Sequence, residues 1–491
     1  MERNDASITA NTPDSPRKIA GNVLTRMANE ILQTARALMV LPLISRLFGA
    51  EAYGIWSQIG VTMALLAPIL TLRLESALVR YTAGLGSTIE KTKAIFSSLL
   101  ITLLVGIGAL SIGVVVKQSL AIAMFADPSL SSYVVLSLGI LFSRAVSSIA
   151  LAYHRAHSRI IFYTLVQVGL AVLEFLALLI SAWVFRSSFE VALFAILAID
   201  IAVMLFLIGD VLRREHRIAF SPSLLAKFLR YSLPLVPAVA LAWVVGASDR
   251  FVIVHYLGLA QAGTYSAAYR VAQILRLLIH PILFVLFPLA VMLWDRGERA
   301  RTGRYLSDAL RWFLILAIPA AAGIIAVGAL TIQLISSGVF VTSNLLMILL
   351  TASELLAGVS MIYNLSLALE EKTWIQPLLF LVIGGLNLVL NLLWIPRLGI
   401  LGGSLSTCLC RAVQLVIVMS IAQRTVHASI PWAAIAKATI ASVGVYFAAA
   451  FLPVTGLLGL VLRVLAGTIV YAFLAVALGV VHKRDIARLG H

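Results

Sequence analysis

Leu47-Phe48-Gly49-Ala50-Glu51-Ala52-Tyr53-Gly54-Ile55-Trp56-Ser57 returns 209 residues further on as Tyr256-Leu257-Gly258-Leu259-Ala260-Gln261-Ala262-Gly263-Thr264-Tyr265-Ser266. Both glycines, the serine and an aromatic in place of Trp56 coincide, and each copy separates two long apolar stretches. Glycine suits a tight turn because it lacks a Cβ, and an aromatic suits a membrane interface. A weaker echo stands at Leu398-Gly399-Ile400-Leu401-Gly402-Gly403-Ser404.

A membrane span needs about 20 mostly apolar residues. Applied outward from the repeat, that rule marks fourteen spans: 22–47, 53–74, 94–116, 131–153, 160–184, 190–210, 229–256, 262–290, 307–333, 343–368, 374–395, 400–422, 433–452 and 457–481. Six spans separate the two copies, so both run in the same direction across the bilayer. The expected fold is an all-α polytopic membrane protein with two parallel six-helix lobes, related by an axis along the membrane normal. Residues 21–212 form the first lobe, 213–424 the second, and 425–491 hold spans thirteen and fourteen and a tail. Residues 1–20 are polar and read as a disordered cytoplasmic tail, and no cleavable signal precedes the first span.

Composition agrees. Hydrophobic residues make up 61% of the 491, charged residues 12%, and the mean hydropathy is +1.03. The net charge of +16 does not mark a nucleic-acid binder, since the basic residues sit in short loops between apolar spans. Lys91 and Lys93, Arg155 and Arg159, Arg213 to Lys227, Arg296 to Arg304 and Lys483 to Arg488 fall on one side. Only Arg46, Lys117, Arg186 and Arg397 fall on the other. The positive-inside rule then places both termini in the cytoplasm. Cys408 and Cys410 lie within one apolar span, where they pack rather than form a disulfide or metal site.

The spans carry charge where charge is expensive. Arg26, Arg36, Arg144, Arg270, Arg276 and Arg411 lie near mid-span. Each costs about 2.5–3.5 kcal/mol at a helix centre, so each must face a polar interior. A permanently charged planar fork is suited to phosphate. On a helical wheel, Asn22, Arg26, Asn29, Glu30, Gln33 and Arg36 fit within an arc of about 120°. That arc reads as a cavity wall, or as a helix in which Arg26 and Glu30 neutralise each other. Arg270, Gln273, Arg276 and His280 make a second stripe, net cationic, in span eight. Glu174 in span five and Glu354 in span ten either bind a coupling proton or sodium ion or pair with a membrane arginine. Asp249, beside Arg250 in span seven, is an interfacial ion pair, a gate or a coupling acid. Asn387 and Asn391 share a face of span eleven and read as helix-to-helix bonds. Pro42, Pro68, Pro234 and Pro237 should disturb their helices.

No P-loop, GxSxG or HExxH motif is present, which argues against an enzyme. A sugar transferase or polymerase would present a larger outer loop than any here.

The run from Arg26 through Pro42, Gly49 and Tyr53-Gly54-Ile55-Trp56 resembles the opening of polysaccharide flippases of the multidrug/oligosaccharidyl-lipid/polysaccharide exporter superfamily. Ser248-Asp249-Arg250-Phe251, Leu257-Gly258 and Gly263 to Tyr269 resemble the opening of their second lobe. Leu398 to Gly403 resembles the turn before their twelfth span. The resemblance implies a V-shaped pair of lobes working by alternating access. It implies a cargo of undecaprenyl-diphosphate-linked oligosaccharide, moved across a bacterial inner membrane for O-antigen, capsule or exopolysaccharide assembly, beside a glycan polymerase and glycosyltransferases. No cofactor is implied beyond a possible H+ or Na+. Under this reading Arg26, Arg36, Arg270 and Arg276 contact diphosphate or acidic sugar, with Arg144, Arg411, Asn29, Gln33 and Gln273 beside them. Glu30, Asp249, Glu174 and Glu354 are the coupling or gate candidates. Spans thirteen and fourteen resemble those of the lipid II flippase branch, which is the nearest alternative. A multidrug/cation antiporter would want acids to dominate its cavity, and a non-transporting scaffold for glycan assembly is a further alternative.

Overall fold

The computed structural model describes residues 16–82, 85, 87–183, 188–372, 374–426 and 428–480, with 16–33 described as backbone only. The first helix, α1 (Pro16–Leu70), begins on a proline whose fixed φ is pre-organised for a first turn. Residues 16–20 are therefore helical, which shortens the expected disordered tail; residues 1–15 lie outside the described residues. At Gly49 the backbone takes φ 90° and ψ 179°, and the chain turns back on itself. Arg36 and Val40 share a cavity wall with Gly60 and Met63. In a straight helix Arg36 and Gly60 would stand about 36 Å apart. Among the described residues thirteen helices are long and apolar enough to cross a membrane, and α1 holds two of the expected passes, so these correspond to the fourteen spans.

The first lobe continues with α2 (Leu74–Thr82), α3 (Thr88–Val115), α4 (Lys117–Phe125), α5 (Ser131–Ala156), α6 (Ile160–Trp183) and α7 (Phe189–Glu215). Leu72 and Arg73, both at positive φ, break the chain between α1 and α2. The second lobe comprises α8 (Pro222–Ser232), α9 (Leu235–Leu257), α10 (Leu259–Ala272), α11 (Arg276–Asp295), α12 (Arg299–Ile335), α13 (Asn344–Leu369), α14 (Ile375–Leu398) and α15 (Ile400–Thr425). The helices α16 (Trp432–Phe451) and α17 (Gly456–Ala477) are the additional pair, and α16 and α17 both pack on α12. A turn at Leu233 and Pro234 separates α8 from α9 within the stretch Pro222–Leu257 that holds the seventh pass. Chain order puts α8 with the second lobe, yet its buried Phe228 packs into the core of the first.

The sequence repeat is also a structural one. Gly258 takes φ 84° and ψ 172°, close to Gly49, and joins α9 to α10. The two turns pack on each other reciprocally. A Cβ on Gly54 would lie 2.1 Å from the Leu259 carbonyl oxygen, and one on Gly263 would lie 2.9 Å from that of Ala50. Ser57 Oγ donates to Ser266 Oγ at 2.6 Å. Each contact exchanges a residue with its counterpart 209 positions on, as a pseudo-twofold axis requires.

The apolar cores give the lobes their V arrangement. One core gathers Leu41, Ile44 and Ile59 from the first lobe with Ile253, Tyr265 and Leu350 from the second, around the Gly49 and Gly258 turns. Away from that end the cores separate. Leu78, Ile95 and Ile149 belong to one, and Ile279, Leu310 and Ile383 to another. Apolar burial therefore joins the lobes at one end of the bundle, and each lobe packs on itself at the other. Arg46 adds a latch at the joined end. Its guanidinium donates to the Ile335 and Leu334 carbonyls at 2.7 Å each, capping the C-terminus of α12 from the opposite lobe.

Candidate functional site: a cationic cavity between the lobes

A cavity of about 280 Å³ opens where the lobes meet. Arg36 on α1 and Arg144 on α5 line it from the first lobe, and Arg270 on α10 lines it from the second. Tyr53, Trp56 and Ser57 form its wall near the joined end, with Val40, Met63 and Ile140 as apolar patches. Among the described lining residues there is no carboxylate.

The first-lobe arginines are held from behind. Glu174 on α6 is 1% exposed, accepts one hydrogen bond from Arg36 and accepts another from Arg144 at 2.5 Å. Asp200 on α7 is 2% exposed and accepts from Arg144 Nε at 3.0 Å. Two arginines and two acids make a balanced cluster drawn from four helices. A buried ion pair of this kind is worth little as net stability, but it fixes the direction of its guanidinium groups. The wheel arc of the first span extends to Arg36; Arg26, Asn29, Glu30 and Gln33 lie outside the residues whose side chains are described.

Arg270 differs. Its partner is the neutral amide oxygen of Gln273, at 3.4 Å, and the side chain is exposed to the cavity. Among the described residues no carboxylate pairs with it, so the cavity carries an uncompensated positive charge on its second-lobe wall. The expected continuous stripe along span eight is interrupted: a 3-10 turn at Gln273–Leu275 divides α10 from α11. Arg276 is not among the residues that line the cavity. It forms a two-pronged bond to Glu354 on α13, at 2.6 and 2.8 Å. The stripe in span eight is thus not a uniformly cationic face: Arg276 is neutralised from another helix. Arg411 on α15 also stands outside the cavity wall and donates to Gln414 at 2.9 Å.

Asp249 and Arg250 form a buried ion pair. Arg250 donates to Asp249 Oδ1 at 2.9 Å and to the Gly246 carbonyl at 2.8 Å, and lies 4.2 Å over the Tyr269 ring. Asp249 Oδ2 accepts from Tyr265 at 2.6 Å and from Thr407 at 3.5 Å. Beside them Asn387 accepts from Asn391 within α14 and from Ser248 at 3.3 Å, so Asn387 ties α9 to α14. Asp200 is a site residue outside the expected set, and Tyr53, Trp56 and Ser57, which stand in the repeated turn, also form the cavity wall. A lone aspartate in an apolar 20-residue stretch is nonetheless a sufficient signal for the first.

A second opening lies on the flank. α10, α12, α16 and α17 enclose an apolar groove of about 520 Å³. Leu316, Ile324, Val445 and Val464 line it, with Gly323, Gly328 and Gly467 keeping it wide. Among the described residues no group of three or more His, Cys, Asp or Glu is placed to hold a metal ion.

A family model described as polysaccharide biosynthesis protein matches residues 19–294, more than half of the chain. A probable low-salt glycan biosynthesis flippase, Agl15, of Haloferax volcanii is 25% identical over 169 residues. That match covers 34% of this chain and 36% of the relative. Among solved structures, a lipid II flippase MurJ in an inward closed conformation superposes with TM-score 0.72 at 16% identity, covering 92% of this chain and 98% of that one. An inward-facing multidrug resistance MATE family transporter of the MOP superfamily gives 0.65 at 16% identity, covering 82% and 97%. These similarities at low identity concern the fold, and the two-lobe architecture is common to them.

Proposed function

The chain belongs to the polysaccharide biosynthesis protein family, and from that premise we propose that it flips a lipid-linked oligosaccharide, carried on undecaprenyl diphosphate, across a bacterial inner membrane for surface polysaccharide assembly. The carrying observation is the cavity. Arg36 and Arg144 face Arg270 across it, and Arg270 has no acid partner among the described residues. A diphosphate entering between the lobes meets forks pre-oriented by Glu174 and Asp200, so little side-chain entropy is lost on binding. Sugars find Tyr53 and Trp56, and the polyprenyl tail has the apolar groove beside α16 and α17.

The joined end, sealed by the glycine turns, faces the outer side when the loop charges are read by the positive-inside rule. The cavity then opens to the cytoplasm, where the cargo is made, and alternating access would break the Ser57–Ser266 and Arg46 contacts. Ion coupling through Glu174, Glu354 or Asp249 would have to displace an arginine from each, so a proton or cation would act by releasing an arginine rather than by filling an empty site. Transport of drugs as cations is disfavoured by the positive cavity.

The groove and the two extra helices favour one second reading, a lipid II flippase. Deleting the gene and extracting lipid-linked sugars separates the two. The proposal expects oligosaccharide-bearing undecaprenyl diphosphate to accumulate with loss of surface glycan and unaltered peptidoglycan. Unchanged lipid-linked sugars and an intact surface glycan would refute it. Rescue of a strain depleted of its lipid II flippase would favour the second reading.

A further inference from the structure

A cluster of cations and aromatic rings lies away from the cavity, where α2 meets α8. Lys227 and Arg230 line a recess of about 490 Å³ with Tyr81, Ala226 and Tyr231. The Arg80 guanidinium lies 4.6 Å over the Tyr231 ring, and Lys227 Nζ lies 5.1 Å over Tyr81. Tyr81 and Tyr231 meet edge to face at 5.4 Å, and Phe228 stacks under Tyr81 at 5.7 Å. Three cations from two separate segments thus converge on a rigid aromatic floor. Among the described residues no carboxylate pairs with any of them; the nearest acid on α2, Glu75, is taken by Arg73 at 3.2 Å.

Cation–π contacts orient Arg80 and Lys227 but do not relieve the mutual repulsion of the three cations. An anion does. The surroundings say which kind. α8 is an eleven-residue amphipathic helix that begins at Pro222, capped by Ser221 accepting from the Leu224 amide. Its buried face is Phe228 and Ser232, and its other face carries Lys227 and Arg230. Ile218 and Phe220 before it, Leu233 after it and Val79 on α2 are exposed, 62%, 50%, 46% and 39%. A short helix with a basic face, flanked by bare apolar side chains and leading directly into a membrane span, is placed at the depth of lipid headgroups.

We propose that this recess binds the phosphate headgroup of an anionic membrane phospholipid, which clips the inter-lobe connection to the first lobe. α8 precedes the second lobe in the chain while resting on α2 and α3 of the first. A phosphate bridging Arg80 to Lys227 and Arg230 therefore links the two segments. The inference stands apart from the identity of the cargo.

The test uses the full-length protein in nanodiscs of phosphatidylcholine with or without phosphatidylglycerol, with retained lipid read by native mass spectrometry. Wild type should retain phosphatidylglycerol in preference to phosphatidylcholine. Each charge removed should weaken that retention by roughly fivefold, so R80Q/K227Q/R230Q should lose it, with phosphatidylcholine retention unchanged. The K227Q/R230Q double variant, altered only at exposed positions, carries the test if the triple is not recovered folded. Equal phosphatidylglycerol retention by wild type and folded variant would overturn the proposal. So would displacement of phosphatidylglycerol by phosphatidylcholine in wild type.

Discussion

Substituting Gly54 by alanine should open the joined end of the bundle. The added Cβ would fall 2.1 Å from the Leu259 carbonyl oxygen and 2.7 Å from its carbon, both backbone atoms that cannot rotate away. That is more than 1 Å inside ordinary contact, and overpacking of this kind costs about 1–3 kcal/mol. The cost applies only while α1 and α10 are in contact. A state in which the lobes part at this end escapes it, so the equilibrium between the two should move by about 5- to 150-fold toward that state. The reporter is a cysteine pair at Ser57 and Ser266, whose hydroxyl oxygens are 2.6 Å apart. Cross-linking should be rapid with Gly54 and slowed by at least the lower end of that range with alanine. Equal rates would refute the reasoning, because they would mean that the turns do not bear on each other. Gly49→Ala is the contrasting control: nothing lies within 4 Å of its Cβ, so its effect is backbone strain at φ 90°.

The ion pairs and the groove give three further expected outcomes. Glu174→Gln leaves Arg36 without its acid and should destabilise the first lobe by about 3 kcal/mol, at the low end for a broken buried pair because both arginines reach the cavity. A thermal-unfolding comparison should show R36Q/E174Q closer to wild type than E174Q, and simple additivity would count against the pairing. Arg46→Ala removes both bonds to the end of α12 and should raise the fraction of molecules open at the joined end, read with the same cysteine pair. Val445→Trp fills part of the groove, and it should slow transport of long-tailed substrates while sparing short-tailed ones in a chain-length series.

Much of this molecule is legible in its sequence because membrane physics leaves few choices. Apolar length gives the spans, and the Gly49 and Gly258 copies give the lobe symmetry, since φ near 90° with ψ near 180° is a region essentially confined to glycine. The offset of 209 even anticipates which residues touch, through Ser57 and Ser266. What the sequence conceals is pairing between distant helices. The sequence offers Glu174 and Glu354 as partners for membrane arginines, but it does not say that Glu354 on α13 takes Arg276 while Glu174 takes Arg36 and Arg144. Arg250 and Asp249 read as a pair, but the bonds that Tyr265 and Thr407 give to Asp249 are not legible. Asp200 is visible as a lone acid in an otherwise apolar run, but its arginine lies 56 residues earlier on another helix. The 3-10 turn between α10 and α11 has no proline or glycine to announce it. Helix α4, which packs between the joined ends of α1 and α9, falls in a stretch that reads simply as a loop.

The central claim is that Arg270 holds a diphosphate during translocation. Reconstituted into vesicles with a fluorescent undecaprenyl-diphosphate oligosaccharide, wild type should move the lipid between leaflets, and Arg270→Gln should lose most of that activity. R270K should recover only part, since a point charge replaces a fork. Full transport by a folded R270Q variant would contradict the account.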